Sequence, residues 1–347
     1  RLITLARLIQ SEYVKLFTIS NINIIKLKRV AYMKYDLVLL HAPSVYDFRK
    51  NSLLAGPISD VVPSSPVFEM YPIGLTSIAD YLERFGLRVK IINIANRMLM
   101  SEKFDVEKKL KKIKTRAFGI DLHWLPHAHG SIELAKIVKK LHPDTPVIFG
   151  GLSATYYHKE LIEYPFIDFV MRGDSTEKLM LLLMNKLELG NTHYADIPNL
   201  TWKKGSEIGY NPITYVPKDL DDIDVPGYRY TVRSVFKYRN FLDPLPYNGW
   251  LQYPNTTLLT ARGCSQNCLI CGGSKDANDQ NCGRSSLALR SPEKLIDDIQ
   301  FISRFSRAPI FILHDLRQGG REYVKEFFSR LKKLNLKNEI VFELFQY

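Results

Sequence analysis

From Met33 onward, short apolar runs rich in β-branched residues alternate with longer stretches whose apolar positions recur every three or four residues. The two periods are those of strands and helices, so the alternation predicts a parallel sheet with crossover helices. Strands are expected at Asp36 to His41, Leu87 to Ile94, Ala117 to Leu122, Pro146 to Phe149 and Phe166 to Met171. Helices are expected near Ile73 to Phe85, Val106 to Lys114, Gly130 to Leu141, Lys159 to Tyr164 and Thr176 to Leu189. Five strands with intervening helices make a flavodoxin-like or Rossmann-like α/β domain, in which ligands bind outside the carboxyl ends of the strands. The segments His41 to Pro72, His123 to Gly130, Gly150 to Tyr157 and Arg172 to Ser175 are then the candidate ligand loops.

The pattern changes after Leu189. Asn199 to Trp202, a turn at Lys203 to Gly205, and Ile208 with Ile213 to Val216 predict a hairpin, followed by an acidic, proline-bounded linker at Pro217 to Pro226. Residues 227–255 are rich in Tyr, Phe and Pro, a composition suited to packing. A second α/β pattern starts with a strand at Thr256 to Ala261. Ser291 caps a helix with Pro292 in its first turn and Leu295, Ile299 and Ile302 on one face. A strand at Pro309 to Leu313, a helix at Arg321 to Leu334 and a strand at Glu339 to Phe345 follow. The expected division is a 33–190 α/β domain, a 191–255 hairpin and linker, and a second domain over 256–347.

At 347 residues, with 46% hydrophobic and 24% charged residues, the chain has the composition of a globular protein with more than one core. The net charge of +12 permits an anionic partner, but cofactor phosphates and solvated lysine-rich helix faces account for it equally, and no nucleic acid is expected. No apolar run reaches the roughly 18 residues of a membrane span. All four cysteines (Cys264, Cys268, Cys271, Cys282) fall in one short segment, unlike a secreted disulfide framework, so a cytoplasmic protein is expected. Residues 1–32 carry six basic residues against one acid, Glu12, and fit neither a signal nor a transit peptide. They are read as an extension, with translation beginning naturally at Met33.

The candidate chemistry lies at Cys264, Cys268 and Cys271, a C-x3-C-x2-C loop directly after a strand. Thiolates are soft ligands for iron-sulfur clusters or zinc, and three of them on a four-iron cluster leave one iron open. A zinc site would recruit Cys282 as the fourth ligand.

Together with Arg262-Gly263 before the loop, Gly272-Gly273-Ser274 after it and Arg290-Ser291-Pro292-Glu293 opening the next helix, this motif resembles the radical S-adenosylmethionine (radical SAM) enzymes that carry an N-terminal cobalamin-binding domain. One departure is Ile270, where the family more often has an aromatic residue. The resemblance implies a radical SAM (β/α) barrel with a [4Fe-4S] cluster on Cys264, Cys268 and Cys271, leaving Cys282 a bystander. S-adenosylmethionine would chelate the open iron and be cleaved reductively to a 5′-deoxyadenosyl radical. Asp315, Gly319 and Gly320 lie where related proteins contact its methionine end. Tyr71-Pro72-Ile73-Gly74-Leu75 resembles the first helix of the cobalamin domain, and Gly150-Gly151-Leu152-Ser153-Ala154 its double-glycine turn. Gly74, Gly150, Gly151 and Ser153 are therefore candidate cobalamin contacts, although a Gly-Gly pair by itself also simply turns a βα connection.

Asp121-Leu122-His123 suggests the Asp-x-His-x-x-Gly ligand motif, but Pro126 replaces its glycine and the stretch follows the third expected strand instead of the first. Cobalamin is therefore expected to bind without His123, His127 or His129 from that stretch on cobalt. No catalytic side chain is assigned. The function the resemblance implies is reductive cleavage of S-adenosylmethionine, dependent on cobalamin, with methyl transfer to an unactivated carbon or phosphorus as its simplest form. A non-methylating radical SAM reaction and a zinc-stabilised binding module are the alternatives. The substrate is expected to be a small or lipid-like molecule, and the electron donor a flavodoxin or ferredoxin. Since only three strands follow Asn255, the barrel is expected to be partial and the chain a C-terminally truncated fragment.

Overall fold

Every residue of strand β1 (Tyr35–His41) is buried, because the strand has a neighbour on each side in its sheet and both faces are covered. In the computed structural model the described residues are 34–50, 70–223, 230, 233–234, 237, 242–247, 249–250, 252, 254, 256–304 and 306–345. The expected extension over 1–32, the start at Met33, the middle of the His41 to Pro72 loop and most of 227–255 lie outside them. The described residues from 35 onward form one compact unit.

β1 pairs in parallel with β2 (Val89–Asn93) and β3 (Thr115–Asp121), with Leu37 opposite both Val89 and Ala117. β4 (Val147–Gly150) and β5 (Phe169–Met171) continue the parallel set. The order β2-β1-β3-β4-β5 is the flavodoxin-like winding. Alternation along β1 divides the core. Leu37 and Leu39 pack with Leu75 and Leu82 of α1 (Ile73–Arg84), while Val38 and Leu40 join Met98 of α2 (Ile94–Met100) and Leu110 of α3 (Val106–Lys111). α4 (Ala128–Leu141), α5 (Leu152–Tyr156) and α6 (His158–Glu163) cover the second face, and α7 (Glu177–Leu189) the first.

In the first domain the expected strands and helices recur with shifted ends, and α2 and α5 are additional. α2 starts inside the apolar run Leu87 to Ile94 because the Asn93 side chain accepts a hydrogen bond from Asn96 N and caps a new helix. The expected hairpin forms as β6 (Leu200–Lys204) and β7 (Glu207–Tyr210), not with Ile213 to Val216. Nor is it a separate linker element: β6 pairs antiparallel with β5 and extends the first sheet to seven strands. Burial is the reason. Trp202 packs with Phe169 and Tyr194, and a Cβ on Gly209 would stand 2.2 Å from its ring.

The second sheet is parallel, in the order β12 (Ile340–Phe342), β11 (Ile310–Leu313), β8 (Thr256–Leu259). Leu258, Ile310 and Ile312 bury one face under Leu295, Ile299 and Ile302 of α9 (Pro292–Ser303) and Phe327 of α10 (Arg321–Leu331). On the other face Leu313 and Val341 are exposed. As expected, Ser291 caps α9 by accepting from Lys294 N. Arg290 beside it is fully buried. Its guanidinium donates to Asp298 Oδ2 at 2.6 Å and to the carbonyls of Leu220, at 3.0 Å, and Ile223. The acidic linker is thereby fastened to the second domain, and Ile73 of α1 packs into the small apolar cluster of Leu220, Ile223 and Ala288 that results.

Removing one partner of a buried ion pair costs about 3–5 kcal/mol because the other charge stays desolvated. Arg290→Ala is expected to lower stability by that amount in urea denaturation. A loss below about 1 kcal/mol, the scale of an exposed pair, would contradict this account.

Candidate functional site

The cysteine loop hangs from a two-residue ladder. β9 (Ala261–Arg262) pairs antiparallel with β10 (Ala288–Leu289), so the chain between them leaves and returns at one point. Gly263 opens the loop at φ +86, and a Cβ there would lie 2.6 Å from the Arg284 side chain. The loop's far side is closed by Lys275 N donating to Gln266 O at 2.8 Å, and Ser274 caps α8 (Lys275–Cys282). Cys264 is half-buried, and Cys268 and Cys271 are exposed. Cys282 ends α8 at 2% exposure, where burial, helped by the Asp174 charge, pushes its thiol up to about 12. The fourth cysteine is thus packed away and protonated. The three loop sulfurs share one segment, although among the described residues no three His, Cys, Asp or Glu side chains are gathered closely enough to hold a metal ion. Between the second and third cysteines, Leu269 and Ile270 are 100% and 98% exposed.

Two arginines fasten this loop to the first domain. Arg262, one residue before Gly263, forks onto Glu177 at the start of α7, with Nη1 to Oε2 at 3.0 Å and Nη2 to Oε1 at 2.5 Å. Ser77 of α1 donates to the same carboxylate. Burial alone would push the Glu177 carboxyl up, but the Arg262 charge and the hydrogen bonds from Arg262 and Ser77 carry it below its ordinary value. Arg284, just after α8, donates to both Asp174 oxygens, one at 3.0 Å, to Ser175 Oγ at 3.2 Å and to the Pro217 carbonyl at 2.9 Å. Asp174 and Ser175 belong to the loop after β5, at the carboxyl end of the first sheet. The cysteine loop therefore stands at the edge where an open α/β sheet binds its ligands.

Along that edge, His41 ends β1 and Asp121 ends β3, the neighbouring strands between which the winding reverses. His41 Nδ1 lies 3.0 Å from both Asp121 oxygens, and both residues are buried. The His127 ring packs 5.2 Å from His41, and His123 stacks edge-on to Trp124. Burial lowers the His123 pKa, against the raising influence of Asp121, so that ring is neutral at pH 7. The His41–Asp121 pair escaped sequence reasoning because its members are 80 residues apart. The one available signal is that each ends the apolar run of its strand.

The expected cofactor contacts divide into two groups. Gly74 and Gly150 have room beyond the backbone: a Cβ on Gly74 would meet nothing within 4 Å, and one on Gly150 only Met171 O at 3.8 Å. Gly151, at φ +110, serves the protein's own packing, since a Cβ would come within 2.7 Å of the Leu122 carbonyl. Ser153 is likewise engaged, donating from Oγ to His123 O at 3.0 Å. In the second domain Asp315 is fully buried and occupied by Arg317 and by Phe345 N, which together hold its carboxyl down to about 2, the Arg317 hydrogen bonds contributing most. A Cβ on Gly319 would lie 2.8 Å from the Tyr323 ring, whereas Gly320, at φ +89, borders open space. Gln318, which the sequence did not single out, reaches the Cys264 sulfur.

Residues 60–183 match the B12 binding domain family. Over 304 residues the chain is 22% identical to cytidylyl-2-hydroxyethylphosphonate methyltransferase of Streptomyces wedmorensis, covering 77% of this chain and 55% of that protein. The chain carries a B12-binding domain, and beyond it is similar to cobalamin-dependent S-adenosylmethionine radical enzymes. It is also 26% identical over 216 residues to an anaerobic magnesium-protoporphyrin IX monomethyl ester cyclase of Cereibacter sphaeroides, across 59% of this chain and 32% of that one. It thus spans about half or less of the curated relatives' length. The fold of the cobalamin-dependent S-adenosylmethionine radical enzyme OxsB, solved with aqua-cobalamin and S-adenosylmethionine bound, superposes with a TM-score of 0.62 at 12% identity, over 94% of this chain and 42% of that one.

The residues present fit both the cobalamin of such a domain and the cluster that the resemblance of the cysteine motif implies. Three thiols on one loop, with the fourth cysteine packed away, are a soft three-ligand set that leaves a four-iron cluster one open iron. The space beyond Gly74 and Gly150 lets a bulky ligand approach the backbone of the B12-binding domain.

Because the Glu177 carboxyl titrates below its ordinary value, its pair with Arg262 stabilises fully above the unfolded pKa of about 4.3 and loses that contribution as pH falls through the lowered folded value. Glu177→Gln is expected to lower the thermal midpoint clearly at pH 7, with the gap to the unsubstituted protein narrowing below pH 4. A gap independent of pH between 7 and 3 would contradict the ion-pair account.

Proposed function

We propose that this protein cleaves S-adenosylmethionine reductively at a [4Fe-4S] cluster held by Cys264, Cys268 and Cys271, and that the reaction is a cobalamin-dependent methyl transfer to a small-molecule or lipid-like substrate. The observation that carries the proposal is the attachment of the three-cysteine loop, through Arg262–Glu177 and Arg284–Asp174, to the ligand edge of the B12-binding domain. When bound, the cluster supplies the electron for cleavage and the cobalamin a methyl carrier; the protein's part is to place the two and exclude water. Gly263 turns the chain so that Cys264 leaves the ladder directly, and the Ser274 cap and the Gln266 carbonyl fix the loop's return. Gly74 and Gly150 leave space for the corrin, and His41 and Asp121 form the floor at the winding reversal. The exposed Leu269 and Ile270, between the second and third cysteines, would present an apolar surface next to a cluster held there. A second domain over 256–347, an electron donor of the flavodoxin or ferredoxin type and a cytoplasmic setting belong to the same proposal; among the described residues no helix is long and apolar enough to cross a membrane.

Similarity to a phosphonate methyltransferase supports methyl transfer, and similarity to a cyclase supports the second reading, a radical SAM reaction without it. Anaerobic reconstitution with iron, sulfide, hydroxocobalamin and S-adenosylmethionine separates them. S-adenosylhomocysteine formed alongside 5′-deoxyadenosine is the expected result; 5′-deoxyadenosine alone supports the second reading. For the cluster itself, replacing Cys264, Cys268 and Cys271 by Ala is expected to abolish bound iron and the visible charge-transfer band, while Cys282→Ala keeps both. One bound zinc, lost in Cys282→Ala, would overturn the proposal in favour of a zinc-stabilised binding module.

A further inference from the structure

β11 ends in a tightly built turn. His314 sits at φ +78, a conformation disfavoured for a residue with a Cβ, and its N–H donates to Glu343 Oε2 at 2.7 Å. Asp315 caps the following 3-10 turn (Leu316–Gly319) by accepting from Arg317 N, and Gln318 N donates to Asp315 O at 3.0 Å. The backbone of Gln318 is thus fixed by its own turn, and its side chain projects to the first residues of the cysteine loop. Ser265 N and Ser265 Oγ both lie 2.9 Å from Gln318 Oε1, and His314 Nε2 lies 3.2 Å from it.

The backbone N–H of Ser265 can only donate, so the atom it meets is the carboxamide oxygen and the amide cannot be flipped. The other end of the group, the NH2, is then the end that faces Cys264 Sγ, at 3.5 Å. Gln266 N points at the same sulfur from 3.4 Å. Gln318 Oε1, 3.7 Å away, can accept only the thiol's own proton, so among the described residues the two N–H groups are the donors that reach a deprotonated sulfur. One is main chain; the other is a side chain from a different strand-turn unit, locked in orientation by the loop it serves.

We infer that Gln318 is a positioning and tuning residue for the cluster: its carboxamide oxygen holds the start of the cysteine loop, and its NH2 donates to the Cys264 thiolate and raises the cluster's reduction potential. The inference rests on Cys264 being a cluster ligand. A donor aimed at a ligating sulfur stabilises the more negative, reduced cluster over the oxidised one, and hydrogen bonds to sulfur are among the factors that set such potentials. Gln318 thereby links the turn after β11 to the redox poise of the site.

Gln318→Glu separates the two roles, since a carboxylate of the same length still accepts from Ser265 but presents no donor to sulfur. Gln318→Leu removes both. The full chain and both variants are reconstituted anaerobically, iron and sulfide are quantified, and the cluster is titrated with dithionite while its electron paramagnetic resonance signal is followed. Gln318→Glu is expected to keep a full complement of iron while its reduction becomes about tenfold less favourable, 59 mV more negative for one electron. Gln318→Leu is expected to shift the same way. A full cluster in Gln318→Glu with an unchanged or higher potential would overturn the inference while leaving the cluster assignment intact. Loss of iron in Gln318→Glu would overturn the tuning role in favour of a purely structural one. Absence of a cluster in the unsubstituted chain would instead defeat the assignment of Cys264, and the inference with it.

Discussion

The forked pair between Arg262 and Glu177 is the interaction on which the arrangement depends. Both side chains are withdrawn from water, and two desolvated charges stay ionised only when each satisfies the other. Glu177 opens a helix of the B12-binding domain, where the N-terminal end of the helix dipole also favours a carboxylate. Arg262 immediately precedes the turn into the cysteine loop. A pair of this kind contributes little net stability over an apolar contact, but it tolerates little misplacement. The Ser77 hydroxyl takes part in the same contact, so one carboxylate ties together α1, α7 and the second domain.

Arg284 and Arg290 repeat the device after the loop. Arg284 grips Asp174 and Ser175 in the loop after β5, and Arg290 grips the linker carbonyls of Leu220 and Ile223. Arginine suits these positions because its planar fork makes several directed hydrogen bonds while remaining charged when buried. The three arginines bracket the cysteine loop along the chain. The residues that would touch cofactor are mostly small or exposed, whereas those that set the loop's position are large, charged and buried.

Much of this was legible in the sequence. The apolar runs located the sheet, the Gly150-Gly151 pair its fourth turn, and the cysteine spacing the loop that leaves β9. What periodicity cannot show is pairing between distant segments. Trp202 looked like part of a free hairpin because nothing local reveals that it covers Phe169. Gly151 looked like a cofactor contact, yet its positive φ and its approach to Leu122 answer a demand of the fold. Asp315, placed by resemblance near S-adenosylmethionine, is engaged by Arg317 and Phe345, while Gln318, three residues on, meets the loop. Arg262 stood out only as a neighbour of the cysteine motif and Arg284 not at all, since a lone arginine does not name its carboxylate.

The central claim is that buried ion pairs hold the cluster loop in one position against the B12-binding domain. The most direct test is pulsed electron paramagnetic resonance on protein loaded with reduced cluster and cob(II)alamin, which measures the distance distribution between the two paramagnetic centres. The account predicts a single narrow distribution in the unsubstituted chain and a broadened or shifted one when Asp174→Asn and Glu177→Gln are combined. The same narrow distribution in both proteins, with both cofactors fully loaded, would contradict it.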